Sequence, residues 1–190
     1  MINKDEVLLW LGHKNHEVPP QIDALIESCI ARCEATAKPR SVYRIFELRR
    51  VENGVLLESA NLTLKGEDIV RHLENSSECA VFAATLGGEV DRLIQAAELT
   101  GMTEALILDA CANQLIEQYC DQVEGRIADE ARTRGRGITH RFSPGYGDFP
   151  LEIQPRILET LDAAKKTGLT CTGEFLMIPR KSVTAAVGLI

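Results

Sequence analysis

The chain has 190 residues, of which 45% are hydrophobic and 26% are charged, and its net charge is −7 at pH 7. This length and composition predict one ordinary globular domain over residues 1–190. The acidic balance argues against a general nucleic-acid or anionic-membrane surface, and no run of about 18 apolar residues predicts a membrane span. The first residues are acidic and amphipathic rather than basic and then apolar, so they do not predict a secretory signal, and a cytoplasmic location is expected.

Cysteine and histidine spacing gives no strong metal signal. No Cys-x-x-Cys motif is present, and the histidines are not paired with cysteines at metal-ligand spacing. Cys29 and Cys33 share a helix face and could hold a metal ion or form a redox pair. The favoured interpretation is that both are small buried hydrophobic residues. In a reducing compartment all six cysteines are expected to be free thiols. The histidines are His13, His16, His72 and His140.

The first 40 residues are predicted to form a helical amino-terminal extension. Asn3 is a suitable N-cap for a helix over residues 4–11. Pro19 and Pro20 favour the start of a second helix that ends near residue 37, and apolar residues recur at helical spacing along it.

Residues 41–48 predict a β-strand because the segment is rich in β-branched and aromatic residues. One face of this strand would carry Val42, Arg44, Phe46 and Leu48. Asn53-Gly54 is a strong hairpin signal, so the first strand pair is expected to be antiparallel. A short helix is predicted over residues 66–73.

The apolar run at residues 80–86 predicts a buried strand, which ends at Gly87-Gly88 and leads into a helix over residues 89–99. A strand–Gly-Gly–helix turn could hold a phosphate group. Because the segment lacks the full Gly-x-Gly-x-x-Gly pattern and the lysine of a P-loop, a structural turn is the favoured interpretation.

A long helix is predicted over residues 102–132, and its apolar first half indicates a central core element. At its exit lie Arg132, Arg134 and Arg136; a basic loop is usually only solvated, and the alternative is an electrostatic collar for an anionic partner. Further predictions are a strand over residues 138–142, a helix over 151–165 and a final strand over 182–190. Because helices and strands are mixed and one strand pair is a hairpin, the predicted class is α+β.

The most informative segment is Arg141-Phe-Ser-Pro-Gly-Tyr-Gly-Asp-Phe-Pro150. Its glycines can adopt positive φ and let the backbone approach a ligand closely, while its prolines stiffen the turn. It offers a guanidinium group for a carboxylate, backbone amides and carbonyls, and one aromatic ring. These groups suit a small zwitterion that carries an aromatic base, although such a segment taken alone is more often a structural turn.

Together with a later segment, these residues resemble the S-adenosylmethionine-binding reactivation (activation) domain of cobalamin-dependent methionine synthase. Arg141, Gly145, Tyr146 and Pro150 meet the family pattern Arg-x-x-x-Gly-Tyr-x-x-x-Pro, and residues 165–183 resemble the family's next segment. The resemblance covers about residues 109–188. It implies an α+β domain with a twisted, mainly antiparallel sheet packed with helices, and the chain looks like a compact, free-standing version of that module.

The resemblance implies a role for each matching residue. Arg141 would pair with the ligand carboxylate, and the backbone of Ser143, Pro144, Gly145 and Tyr146 would contact the adenine and ribose, with the Tyr146 side chain shaping the pocket. Asp109 would act through its charge or a water molecule where the family has the longer glutamate; a carboxylate satisfied within its own helix is the alternative. The residue that grips the ligand amino group is not identified.

The implied function is reductive methylation of cobalamin carried by a partner. A flavodoxin- or ferredoxin-like donor would reduce inactive cob(II)alamin, and methyl transfer from S-adenosylmethionine would trap the reduced form. Because the sulfonium is already electrophilic, the protein would orient the methyl group and exclude water rather than supply a base. The expected partner is a cobalamin-binding methyltransferase, first of all methionine synthase, reactivated in trans; neither a nucleic acid nor a membrane is expected.

Two alternatives stay open. The chain could be a non-catalytic module that docks on a corrinoid protein or senses S-adenosylmethionine, which the missing amino-group residue favours. It could also be an unrelated α+β domain in which the loop is a structural turn.

Overall fold

The computed structural model describes residues 2–12 and 18–190 and has the predicted α+β architecture. His13 and His16 of the histidine analysis lie outside the described residues. The strands are Arg40–Val51 (β1), Gly54–Leu57 (β2), Leu62–Leu64 (β3), Glu78–Thr85 (β4), Thr170–Cys171 (β5), Met177–Ile178 (β6) and Ser182–Leu189 (β7). Five of them form an antiparallel sheet in the order β3-β2-β1-β4-β7, and β5 pairs with β6 in a separate ribbon.

The helices of the described residues are Lys4–Trp10 (α1), Pro20–Thr36 (α2), Glu67–His72 (α3), Gly88–Glu98 (α4), Met102–Thr133 (α5), Gln154–Leu161 (α6) and Ala163–Thr167 (α7). The predicted caps are confirmed: the Asn3 side chain accepts a hydrogen bond from the Asp5 amide, and Pro20 opens α2. Among the described residues, none of the helices combines the length and apolar composition that crossing a bilayer requires.

Strand β4 lies at the centre of the fold with both faces buried. Ala80, Phe82 and Ala84 face a core formed with α1, α2, α4 and α5. The alternate residues face a second core formed with β2, β3, α3 and α6; they are Cys79, Val81 and Ala83. Burial on both faces explains why the sequence shows a continuous apolar run instead of an alternating pattern.

The hairpin predicted at Asn53-Gly54 is confirmed, since Val51 pairs with Gly54 between β1 and β2. On β1, Val42 and Leu48 pack against the second core, in which Phe46 is buried. The guanidinium carbon of Arg44 lies 5.0 Å from the centroid of the Phe46 ring, so the predicted face of the strand is also confirmed.

Helix α5 is the central core helix that its apolar first half predicts. It contacts α1, α2, α4, β4 and β7. Leu108, Cys111 and Cys120 on α5 are fully buried. Helices α1 and α2 contribute Val7 and Ile26 to the same core.

All six cysteines are free thiols, and Cys29 and Cys33 are fully buried between α2 and the core. Burial raises the pKa of the Cys33 thiol to about 12, so this side chain is protonated at neutral pH and behaves as a small hydrophobe. Within residues 2–12 and 18–190, histidine, cysteine, aspartate and glutamate side chains form no group of three that could hold a metal ion.

The predicted strand over residues 138–142 is wrong. Only Ile138 and Phe142 form bridges, to Leu189 and Ala186 of β7. The two bridges are four residues apart in the 138–142 segment but only three residues apart in β7. The extra residue interrupts the ladder in the manner of a β-bulge. Between the bridges the Thr139 hydroxyl, instead of a backbone carbonyl, accepts the Gly188 N–H at 2.9 Å.

The single helix predicted over residues 151–165 is also wrong. Residues Leu151–Ile153 form a 3-10 turn, and Asp162 interrupts the rest at a φ of 55°. This left-handed residue ends α6 and begins α7. Strands β3, β5 and β6 were not predicted, because segments of two or three residues are too short to show a period of two.

Candidate functional site

The loop of residues 143–149 follows the two bridges to β7 and is closed by its own hydrogen bonds. The Tyr146 amide donates to the Ser143 carbonyl at 3.2 Å, and the Gly145 amide donates to the Phe149 carbonyl at 2.7 Å. Gly145 has a φ of +94°, a region that glycine adopts without strain. Two of the amides predicted to face a ligand are therefore used inside the loop, which stiffens it.

Aromatic rings support this loop from below. The Phe142 ring stacks on His72 with centroids 5.1 Å apart and on the buried Phe149 with centroids 6.2 Å apart. Tyr146 lies tilted to Phe142 at 6.4 Å and is itself exposed. Tyr146 therefore rests on a packed base while most of its ring faces solvent.

Arg141 is surrounded by three carboxylates of α5. Its Nη2 lies 2.5 Å from Glu117, and its Nη1 lies 2.7 Å from Asp121 and also bonds to Glu124. Burial by itself would lower the pKa of Arg141, but hydrogen bonds to Glu124, Asp121 and Glu117 raise it above its ordinary value. The three carboxylates leave an excess of negative charge next to a permanently charged guanidinium.

Arg141, Glu117 and part of the loop line a cleft of about 540 Å³, a volume within the usual range for small-molecule sites. The two segments that carry the family resemblance meet there. The first segment contributes Arg141, Phe142, Ser143, Pro144 and Tyr146, and the second contributes Met177, Ser182 and Val183. The other lining residues are Glu117, His140, Gln154 and Thr184.

Gln154 and Thr184 were missed by the sequence analysis. Both are buried, and the Thr184 hydroxyl donates to Gln154 Oε1 at 2.7 Å. A signal for Thr184 exists in the sequence, because Ser182 and Thr184 alternate on one face of an otherwise apolar strand. For Gln154 the sequence offers no comparable signal, since a glutamine at a helix start is ordinarily exposed.

Asp109 is not among the residues that line the cleft. It pairs with Lys181 at 2.7 Å, and the Lys181 ammonium also donates to Asn113 Oδ1 at 2.6 Å. Because Lys181 directly precedes Ser182, this network connects α5 to the start of β7 beside the cleft. The predicted role of Asp109 toward the ligand stays a prediction.

A second groove, of about 840 Å³, shares Glu117 and Tyr146 with the cleft. Asp121 of α5 and Trp10 of α1 line it, and Trp10 is 52% exposed. Helix α1 thus places an exposed aromatic ring on the groove that adjoins the cleft.

The basic loop of residues 132–136 and the Gly87-Gly88 turn were the other candidate anion sites, and acidic side chains lie next to both. Arg132 pairs with Asp129, and both Arg134 and Arg136 pair with Glu78. The collar for an anionic partner therefore stays a hypothesis. At the glycine turn, α4 begins with acidic side chains in its first turn, which disfavour a phosphate.

Comparison with solved structures identifies the fold. The chain resembles the crystal structure of the MetH reactivation domain bound to AdoHcy with a TM-score of 0.71 at 20% sequence identity, covering 98% of this chain and 73% of that one. No protein-family model and no curated protein matches the chain. The chain therefore has the fold of a reactivation domain, as the resemblance implied.

Proposed function

We propose that this chain binds S-adenosylmethionine and acts in trans as a cytoplasmic reactivation subunit for a cobalamin-dependent methyltransferase, first of all methionine synthase. The observation that carries the proposal is the meeting of both family-like segments in one cleft, on the fold of a reactivation domain. AdoHcy, which the MetH domain binds in its crystal structure, is what remains of S-adenosylmethionine after its methyl group is transferred.

The overall reaction is balanced without a nucleophile from the chain. Cob(II)alamin of the partner, one electron from a flavodoxin- or ferredoxin-like donor and S-adenosylmethionine give methylcobalamin and AdoHcy. The chain contributes placement: the stiff 143–149 loop and the buried Gln154–Thr184 floor hold the ligand in one orientation. Fixed orientation is a major source of rate in a reaction between two bound partners.

In this proposal Arg141 receives the ligand carboxylate. Of its three acidic partners, Glu117 lines the cleft, and its side chain is 42% exposed. A ligand carboxylate would therefore share Nη2 with Glu117 or displace it, while Asp121 and Glu124 keep Nη1 in place.

Isothermal titration with S-adenosylmethionine tests the site. We expect saturable binding by the unmodified chain and by Arg132→Ala, an exposed arginine paired with Asp129 outside the cleft. We expect Arg141→Ala to bind at least roughly tenfold more weakly, because it loses a charge-assisted contact. Normal affinity of Arg141→Ala would refute the site.

A second experiment tests turnover. A holo-corrinoid methyltransferase, a reductant, S-adenosylmethionine and this chain are combined, and the conversion of cob(II)alamin to methylcobalamin is followed by its absorption spectrum. We expect conversion only when all four are present. Conversion at the same rate without the chain would contradict a reactivating role.

One other candidate is a non-catalytic module that docks on a corrinoid protein or senses S-adenosylmethionine. The three carboxylates already neutralise the Arg141 guanidinium, so receiving a ligand carboxylate costs an existing ion pair, which favours docking over sensing. A stable complex with a holo-corrinoid protein, without methylation of any corrinoid partner tried, would favour this candidate over reactivation.

A further inference from the structure

Two aspartates bond the 143–149 loop and helix α3 to each other. The Asp148 carboxylate accepts the backbone N–H of Glu67 at 2.6 Å and that of Asp68 at 3.0 Å. Asp68 Oδ2 in turn accepts the Asp148 N–H at 3.3 Å. Gly66, at the N-cap position of α3, has no side chain with which to cap the helix, so a residue of the distant loop does so.

Two glycines permit this close approach. Gly147 has a φ of +54°, and a Cβ there would lie 2.0 Å from Asp68 Oδ2. Gly66 has a φ of +124°, and a Cβ there would lie 2.8 Å from Asp148 Oδ1. A larger residue at either position would be strained and would push the loop and the helix apart. Gly147 and Asp148 occupy unspecified positions of the Arg-x-x-x-Gly-Tyr-x-x-x-Pro pattern.

The loop is therefore held on both sides of residues 143–146, whose backbone is predicted to contact the ligand. Before them, Arg141 is ion-paired to α5. After them, Asp148 is hydrogen-bonded to α3. Asp148 lies two residues beyond Tyr146, which lines the cleft. A loop that is already held in its binding conformation has less ordering entropy to lose when a ligand arrives.

We propose that Asp148 and Asp68 are positioning residues, which hold residues 143–146 in the conformation that binds S-adenosylmethionine. The inference rests on the proposed function. Hydrogen bonds from the Asp68 and Glu67 amides hold the pKa of Asp148 below its ordinary value. Asp148 is therefore ionised at neutral pH, and its bonds to α3 are charge-assisted.

The test is isothermal titration of Asp148→Ala with S-adenosylmethionine at a temperature where circular dichroism shows every variant folded. We expect the dissociation constant to rise roughly tenfold, which corresponds to the loss of one to two hydrogen bonds that order the loop. Asp148→Asn keeps a side-chain oxygen as acceptor and should recover part of the affinity. Asp129→Ala, an exposed aspartate on α5 outside the cleft, should bind like the unmodified chain.

The outcomes separate this inference from the proposed function. If Asp148→Ala unfolds at a lower temperature but binds as tightly as the unmodified chain, the pair is only structural, and the inference is overturned while the proposed function stands. If the unmodified chain binds no S-adenosylmethionine even with a holo-corrinoid protein present, both are overturned. If Asp148→Ala does not fold, Asp148→Asn and Asp68→Asn are compared, and unchanged affinity in both overturns the inference.

Discussion

His72 illustrates how single residues beneath the cleft depend on their neighbours. Its Nε2 lies 3.0 Å from the Thr139 hydroxyl, and its ring contacts His140 edge-on with centroids 4.6 Å apart. Burial lowers the pKa of His72 below its ordinary value, and the charge of His140 lowers it further, against a weaker opposing effect of a backbone hydrogen bond. His72 is therefore neutral at pH 7, stacked beneath Phe142.

The lowered pKa predicts a pH dependence of stability. Below about pH 6.5 an unfolded-state histidine takes up a proton, whereas folded His72 stays neutral until a lower pH. Lowering the pH through this window therefore favours unfolding. We expect the free energy of unfolding, measured with urea between about pH 7 and pH 5, to fall less steeply in His72→Gln. Equal slopes in both proteins would contradict this assignment.

At the scale of elements, one buried hydrogen bond joins α6 to β7 beneath the cleft. Gln154 is 5% exposed and Thr184 is 2% exposed, so both side chains are largely shielded from water. The bond thus fixes the first turn of α6, and with it one side of the cleft floor, on the sheet.

A double-mutant cycle tests this connection. Gln154→Leu and Thr184→Val should each cost about 1–3 kcal/mol in the free energy of unfolding, because each leaves a buried polar group unpaired. The double variant should cost less than the sum of the two, since neither group is then left behind. Denaturant titrations of all four proteins give the coupling energy. Additive effects would show that the two side chains do not depend on each other.

At the scale of the whole molecule, the cleft is assembled from segments that span much of the chain. Glu117 belongs to α5, Tyr146 to the loop, Gln154 to α6 and Thr184 to β7. A ligand that contacts all of these segments binds the folded chain and not the unfolded one. Its binding therefore adds to the stability of the entire domain.

This linkage predicts stabilisation by S-adenosylmethionine. At a free concentration one hundred times the dissociation constant, the ligand should add about 2.7 kcal/mol to the free energy of unfolding, and a thermal scan should show a raised midpoint. Arg141→Ala should show a smaller rise at the same concentration, about 1.4 kcal/mol if its dissociation constant is tenfold higher. A midpoint of the unmodified chain that does not respond to the ligand would contradict the predicted binding.

Local patterns in the sequence were sufficient for most elements of the fold. Some signals depend only on residues that are close in the sequence, so each could be predicted without its tertiary surroundings. They are the Asn3 cap, the Asn53-Gly54 hairpin and the apolar runs of β4 and α5. The strand over residues 138–142 could not be judged in this way. Its ladder is interrupted by a mismatch with β7, which no pattern within the segment reveals.

For the cleft, the sequence by itself singled out the segment Arg141–Pro150 and the later segment of residues 165–183, because together they resemble a known family in residue identity and spacing. Only the tertiary structure decided which side chains join them. It brought Glu117 and Gln154 into the cleft, left Asp109 paired with Lys181 outside the lining, and set Asp148 against α3. The physical reason is that ion pairs and buried hydrogen bonds form between groups that are close in space, and chain folding sets that proximity over separations at which sequence spacing carries no information.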